Sequence, residues 1–440
     1  MPTGVPEPSL LPLVHSKRPT LTRSLEGTYR SLKATSLTLR QHEPGVSFEP
    51  MTGGRGPVIL PGVSSIRRAA AAVAKPINLT GRANETESQM NLPRYYFPGE
   101  SNKVDLDFAN LGFDYTPCPY RFEAVFQHGV WRVRGLIEDS NMTIPEGSQC
   151  LHYGQELFEG MKVQSGPDGR AYAFRPYDNA RRLNSGARYL CGPEVPEELF
   201  VRGIEEVAAA NYPYIPPHGS GAALYVRPFY LGIGDNVGVK PARSYVFRIF
   251  VTPVGPYFKG GFGPDQGKAF MVSRLDRAAP QGSGHVKAGG NYACSFTPGQ
   301  EAKDRGFVEA LYLDPREHRY IEEIGAANFL GFRDGKLVTP DSQSVLPSVT
   351  RLSILEIAST IFGWTTEERK IALEELSEME SVACCGTAAV ISWISRVADE
   401  NREWNFEFDE RWQQLYDALV GIQTGSVDDP FGWRHEIPLK

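Results

Sequence analysis

No uninterrupted apolar run in this 440-residue chain approaches the roughly 20 residues a bilayer-crossing helix needs, which excludes an integral helical membrane protein. Cysteine is scarce: six in all, with no CxxC and no regular spacing. That excludes a disulfide framework and a cysteine zinc site, and reads as reduced thiols in an intracellular protein. The eight histidines form no spaced metal set, so no metal is expected. GxSxG, HExxH, GxxxxGK[ST] and a GxGxxG between strand and helix are all missing. Serine-hydrolase, zincin, P-loop and dinucleotide-binding chemistries fall away with them.

A basic body is missing too. Residues 1–90 hold 11 Lys+Arg against 6 Asp+Glu, leaving 35 basic and 46 acidic residues for the rest. An acidic body carries no electrostatic footprint for nucleic acid. Residues 1–103 contain no aspartate, are rich in Ser, Thr, Pro, Gly and Arg, and show little apolar periodicity. A short basic helix is expected from Ser64 to Lys75, stopping before Pro76. This extension reads equally as an organelle presequence (mitochondrion or plastid) or as a tail on a cytoplasmic protein. Sequons at Asn78, Asn84 and Asn141 are expected by chance.

From about Asp105 the pattern becomes that of a packed chain. Phe122–Phe126, Tyr172–Phe174, Ala223–Val226 and Tyr245–Val251 read as strands, the last apolar on both faces apart from Arg248. Asp178–Leu190 places Ala180, Leu183, Ala187 and Leu190 on one helical face, and Glu197–Ala210 does so with Phe200, Ile204, Val207 and Ala208. Pro253 to Pro264 is dense in breakers and reads as an interdomain connection. Beyond it, Phe307–Leu313 and Ala388–Ile394 read as strands and Thr350–Ile361 as a helix. The fold class is mixed α/β (α+β) with two domains: 104–256 smaller, 257–268 connecting, 269–440 larger, after an extension of 1–103.

The chemistry gathers in four short segments. Lys287-Ala288-Gly289-Gly290-Asn291-Tyr292 puts a lysine beside paired glycines, where backbone turns sharply and approaches a ligand closely. A confined lysine can attack a carbonyl, although a lysine in such a loop is more often simply solvated. Of Glu322-Glu323, one carboxylate facing a pyridine nitrogen would keep it protonated, while Glu322 reads as a surface acid. Leu346-Pro347-Ser348-Val349-Thr350 opens a helix whose free N–H groups suit a phosphate, or Ser348 is an ordinary cap. Gly386-Thr387-Ala388 adds a hydroxyl or is only a turn.

Together with Leu151 to Gln155, Phe158 to Lys162, Phe174-Arg175-Pro176, Leu224 to Pro228 and Pro253 to Phe258, these segments resemble the branched-chain amino acid aminotransferases. They occur in that family's order from about Asp105 to Trp433. The resemblance implies the fold-type IV, D-amino-acid-aminotransferase-like architecture, with pyridoxal 5'-phosphate between the domains of a homodimer. Lys287 would hold the cofactor as a Schiff base and move the substrate's proton. Arg175 would grip the phosphate with the Val349 and Thr350 backbone and the Thr387 hydroxyl, Tyr292 would bond the phenolic oxygen, and Glu323 the ring nitrogen. Substrate contacts would come from Tyr153, Phe158, Tyr225, Arg227, Tyr257 and Ala388. Val239 would lie on a loop reaching the neighbouring subunit's pocket. The implied substrates are leucine, isoleucine or valine with 2-oxoglutarate, as amino acids and their 2-oxo acids. Departures are Ala326-Ala327 in place of a hydroxyl residue and Trp393, expected to reshape the pocket's back wall. A specialised transaminase for an unusual branched or aromatic substrate, and a non-catalytic cofactor-binding relative, are the competing readings.

Overall fold

The computed structural model describes residues 103–258 and 260–439. The expected basic helix at Ser64–Lys75 and the sequons at Asn78 and Asn84 lie outside them. Among the described residues two sheets divide the chain. The first is built from β1 (Arg121–Gln127), β2 (Val130–Ile137), β3 (Glu156–Phe158), β4 (Met161–Ser165), β5 (Ala171–Phe174), β6 (Ala223–Ile233) and β7 (Ser244–Val254). The second holds β8 (Lys268–Val272), β9 (Glu309–Leu313), β10 (Ile321–Ile324), β11 (Ala327–Arg333), β12 (Lys336–Pro340), β13 (Thr366–Arg369), β14 (Ser381–Gly386), β15 (Val390–Ala398) and β16 (Glu403–Asn405). A last strand, β17 (Arg434–Glu436), returns to the first sheet and pairs with β5. The reading of 269–440 as wholly within the second domain does not describe that strand.

In the first sheet the order is β17-β5-β4-β6-β7-β1-β2, with β3 beside β6. The short α1 (Gln149–Tyr153) precedes β3, and α2 (Pro176–Tyr189) and α3 (Glu197–Ala210) follow β5. The apolar stripes of α2 and α3, Leu183, Ala187, Phe200 and Ile204, share one core with Leu157, Val163, Leu224 and Val226. Strand alternation therefore turns Phe158, Lys162, Tyr225 and Arg227 to the opposite face, toward the second sheet. That face becomes one wall of the site.

The second sheet runs β10-β9-β8-β15-β14-β11-β12-β13, and β10 pairs also with β11. Six strands thereby close on themselves around Phe270, Leu311, Phe329, Val382, Cys384 and Ile394. Outside that ring α6 (Val349–Thr360) and α7 (Glu410–Thr424) pack through Ile354, Ile357, Trp412 and Leu415 onto Phe332, Ala383, Cys385 and Trp393. Cys384 and Cys385 thus face opposite sides of β14, which keeps the neighbouring thiols apart. Burial pushes the Cys384 thiol up to about 12, so it is an inert packing group.

Candidate active site

Lys287 leaves a loop that is stitched from below. The Asn291 side-chain amide donates to Ser283 O and Val286 O at 2.6 and 2.7 Å. The short α4 (Gly289–Ala293) then brings Tyr292 back over the lysine, and Lys287 Nζ donates to Tyr292 Oη at 2.9 Å. A side chain at Gly289 would collide with Glu156, its Cβ 1.8 Å from Oε1, so the first glycine of the pair serves close packing. The Phe158 ring stands 4.6 Å from Nζ and meets Tyr292 edge to face at 4.9 Å. These aromatic walls hold the amine at one point in the cavity.

Glu323 on β10 is held at both oxygens. Oε1 accepts from Leu346 N at 2.9 Å and from the Asn328 side-chain amide at 3.0 Å, and Oε2 lies 2.7 Å from Arg277 Nε. Burial raises its proton affinity while Arg277 and the Leu346 N–H oppose the rise. The outcome is a fixed, basic carboxylate, the partner a protonated pyridine nitrogen needs. Glu322, expected on the surface, is only 3% exposed and accepts from Ser342 Oγ at 2.6 Å. Alternation on β10 turns it away from Glu323 and into a separate recess.

The start of α6 is where an anion is expected. Ser348 caps the helix by accepting from Arg351 N, which leaves the Val349 and Thr350 N–H groups without intrahelical acceptors. The cap is present, and these two N–H groups are left open beside it. Thr387 Oγ1, at the β14–β15 turn, donates to Gly160 O at 3.1 Å.

Arg175 is a correction. It occupies the left-handed region at the head of α2, and its guanidinium donates to Asp178 and Ser353 and lies over the Trp433 ring. It does not line the cavity. The arginine that does is Arg182, two turns along α2, donating to both oxygens of the fully buried Glu159 and to Pro347 O at 3.1 Å. Sequence reasoning missed it because the Phe-Arg-Pro motif drew attention to Arg175. The available signal was Arg182 one helical turn beyond Asn179, beside the apolar stripe.

The cavity, of about 260 Å³, is lined by Phe158, Tyr225, Arg227, Tyr257, Lys287, Tyr292, Glu323, Thr387 and Ala388 of the expected set. Phe113, unforeseen, meets both Tyr225 and Tyr257 edge to face at 5.2 Å. Arg227 lies over Phe158 and Tyr225, and its Nε is buried without a hydrogen-bond partner. Burial raises the Tyr257 phenol, which keeps it a neutral donor. Tyr153 and Val239 do not reach this cavity. Val239 is 86% exposed on the 234–243 loop, while Tyr153 donates to Val237 O on the same loop. Nor does Trp393 form a back wall: its indole N–H donates to Gly263 O at 2.8 Å and it packs against Phe408. A larger recess of about 510 Å³, walled by Tyr189, His285 and Arg351, contains none of Lys287, Tyr292 or Glu323.

A lysine amine, a phenol beside it, a buried carboxylate and an anion cradle with Arg182 fit pyridoxal phosphate: carbonyl, phenolic oxygen, ring nitrogen and phosphate each find a partner. Residues 156–397 match the model of the class IV amino-transferases. A branched-chain-amino-acid aminotransferase of Helicobacter pylori is 44% identical over 338 residues, 76% of this chain and 99% of that protein. A mitochondrial branched-chain amino acid aminotransferase of Humulus lupulus is 36% identical, covering 76% and 85%. The solved branched-chain amino acid aminotransferase of Escherichia coli superimposes with a TM-score of 0.60 at 25% identity, over 73% of this chain and all of that one. The chain belongs to the class IV aminotransferases, in their branched-chain amino acid aminotransferase family.

Proposed function

We propose that the protein reversibly transfers the amino group of L-leucine, L-isoleucine or L-valine to 2-oxoglutarate, giving the branched 2-oxo acid and L-glutamate. The observation that carries this reading is the convergence of Lys287, Tyr292 and Glu323 on a cavity whose other wall is aromatic and holds Arg227. When bound, pyridoxal phosphate supplies the carbonyl that takes up the amino group and the ring that takes up the electron pair. Lys287 Nζ would anchor the cofactor's carbonyl and, once the substrate's amine displaces it, hold the proton taken from the substrate's Cα, with Tyr292 fixing where Nζ points. Glu323 holds the proton on the ring nitrogen. Arg182 and the first N–H groups of α6 would bind the phosphate dianion, joined by the Thr387 hydroxyl once its proton turns from Gly160 O.

On the substrate side, Phe158, Tyr225 and Tyr257 present ring faces to an aliphatic side chain. Arg227 offers a forked donor to the distal carboxylate of glutamate. One site thus accepts both substrates in turn. Val237 and Val239 stand exposed on the loop joining β6 to β7, where Tyr153 donates to Val237 O. We place Val239 at the cavity of a second copy in a homodimer, as the resemblance implies, and Tyr153, bonded to the same loop, beside it.

The test is the visible spectrum of the purified protein after addition of pyridoxal phosphate. A yellow band that bleaches with L-leucine and separately with L-glutamate is expected. Bleaching with glutamate but not leucine would move the first substrate elsewhere, and no band at all would end the assignment.

A further inference from the structure

The mechanism uses Glu323 but not the glutamate before it, although that side chain is buried as deeply. Glu322 and Glu323 are neighbours on β10, so the pleat sends them to opposite faces. Glu323 enters the active-site cavity and Glu322 a separate recess of about 370 Å³. Both nonetheless grip one piece of chain, the 341–346 loop between β12 and α6. Glu322 Oε1 accepts from Ser342 Oγ at 2.6 Å near the start of that loop, and Glu323 Oε1 accepts from Leu346 N at 2.9 Å at its end. Between these points Ser342 Oγ accepts from Ser344 N at 3.1 Å, and Ser344 O accepts from Arg277, whose Nε pairs with Glu323 Oε2. A continuous chain of bonds thus runs from Glu322 through Ser342, Ser344 and Arg277 to Glu323.

The first half of this loop has open space on two sides. Asp341 and Gln343 are exposed, and with Ser342 they line both the 370 Å³ recess and the larger one of about 510 Å³. On that stretch packing gives way to bonds: Asp341 N to Arg369 O, and Ser342 Oγ to Glu322. The lysine-bearing loop closes in on the same support, since a Cβ at Gly284 would stand 2.2 Å from Ser344 O. Keeping a carboxylate here is costly: burial raises the proton affinity of Glu322, and the Ser342 hydroxyl and the Arg277 charge oppose the rise.

We infer that Glu322 is a positioning residue for the cofactor's ring nitrogen: through Ser342 it fixes the 341–346 loop, and so the Leu346 N–H and the Arg277 guanidinium that aim Glu323. The inference rests on the proposed transamination. Glu322 does not line the active-site cavity and acts through the two groups that hold Glu323. Phe158, Tyr225 and Arg227 belong to the first sheet and take no part in this chain of bonds. Loosening Glu322 therefore slows the chemistry and leaves substrate affinity as it is.

Glu322→Ala, Ser342→Ala and Glu322→Gln test this in the holoenzyme, assayed on leucine and on glutamate. Glu322→Ala and Ser342→Ala are each expected to lower kcat about ten-fold for both substrates with KM near the wild-type value, as a small misplacement of an active-site group does. Both cut one route, so the double variant should be little worse than either alone. Glu322→Gln keeps an oxygen for the Ser342 hydroxyl and should recover most of the rate. Reconstitution with nitrogen-15-labelled pyridoxal phosphate gives a readout independent of turnover. The ring-nitrogen resonance should move toward that of an unprotonated ring in Glu322→Ala and return in Glu322→Gln. If Glu322→Ala does not fold, Ser342→Ala, which removes one hydroxyl from a half-buried site, decides in its place. An unchanged kcat with an unchanged resonance in the alanine variants, or a Glu322→Gln enzyme as slow as Glu322→Ala, would reduce Glu322 to a support of the fold. Those outcomes with an active wild type overturn this inference alone. Absence of wild-type turnover with either substrate would overturn the function itself, and this inference with it.

Discussion

Arg277 and Glu323 form an ion pair in the cavity wall, Nε to Oε2 at 2.7 Å, with both side chains almost wholly buried. Arg277 also donates to Gly284 O and Ser344 O, which tie the lysine-bearing loop to the loop before α6. Glu323→Gln should therefore have two effects. The reaction should slow severely while cofactor remains bound, because the ring nitrogen loses its charged partner. Unfolding free energy should fall by roughly 3 kcal/mol, the scale of leaving one buried charge without its mate. Single-turnover rates and urea titration measure the two; an undiminished rate would remove Glu323 from the ring nitrogen.

The two arginines of α2 should separate cleanly. Arg182→Lys is expected to weaken pyridoxal phosphate binding by about ten-fold or more, through loss of a forked contact. Arg175→Lys should leave cofactor affinity unchanged and cost about 1 kcal/mol of stability at most, since its partners are Asp178, Ser353 and Trp433. Titration of the cofactor-free proteins by absorbance distinguishes them, and the reverse ranking would restore Arg175 to the phosphate.

Lys287→Ala should keep the fold, abolish transamination and remove the yellow band. Steady turnover by this variant without an added amine would displace the lysine from its role.

Trp393→Phe should leave the substrate profile as it is. The indole's bond to Gly263 O holds the 255–267 connection, and its loss should cost about 1 kcal/mol. A broadened substrate range would instead return Trp393 to the pocket wall.

Lys162→Met should be more stable than the wild type at neutral pH. Below about 8 the native chain keeps a charged lysine in a desolvated place, whereas an unfolded lysine holds its proton up to about 10.5. The native state thus binds fewer protons between those values, and wild-type stability rises across that window. The advantage of the methionine variant should shrink from about pH 8 upward and vanish near 10.5. Thermal midpoints as a function of pH read this directly, and a variant less stable at pH 7 would contradict it.

Local pattern carried much of the architecture. Glu197–Ala210 is helical over the expected span, and Asp178–Leu190 is shifted only to Pro176–Tyr189, because an amphipathic stripe needs no knowledge of its partner. Lys287 and Tyr292 were legible together since one turn of chain joins them. What stayed hidden depends on where side chains point. Arg175 and Arg182 are alike in type and seven residues apart, but only the left-handed backbone at Arg175 shows that it turns away. Glu322 read as a surface acid because solvent is the usual place for a charge, and the covering Ser342 lies 20 residues on. The Lys162 contact with Ala388 spans 226 residues, beyond any window a local pattern samples.

The return of β17 to β5 bears on how the chain is made. Arg170 and Glu436, paired across that edge, are 266 residues apart. A ribosome delivers β5 long before its neighbour, and its outer edge must wait with open N–H and C=O groups while the second sheet is still being synthesised. Premature termination before Trp433 would leave that edge open for good, with the anchoring carbonyl of Trp433 lost from Arg175 N. Such truncated chains should be recovered as aggregates rather than as active enzyme, although every residue lining the cavity is present in them.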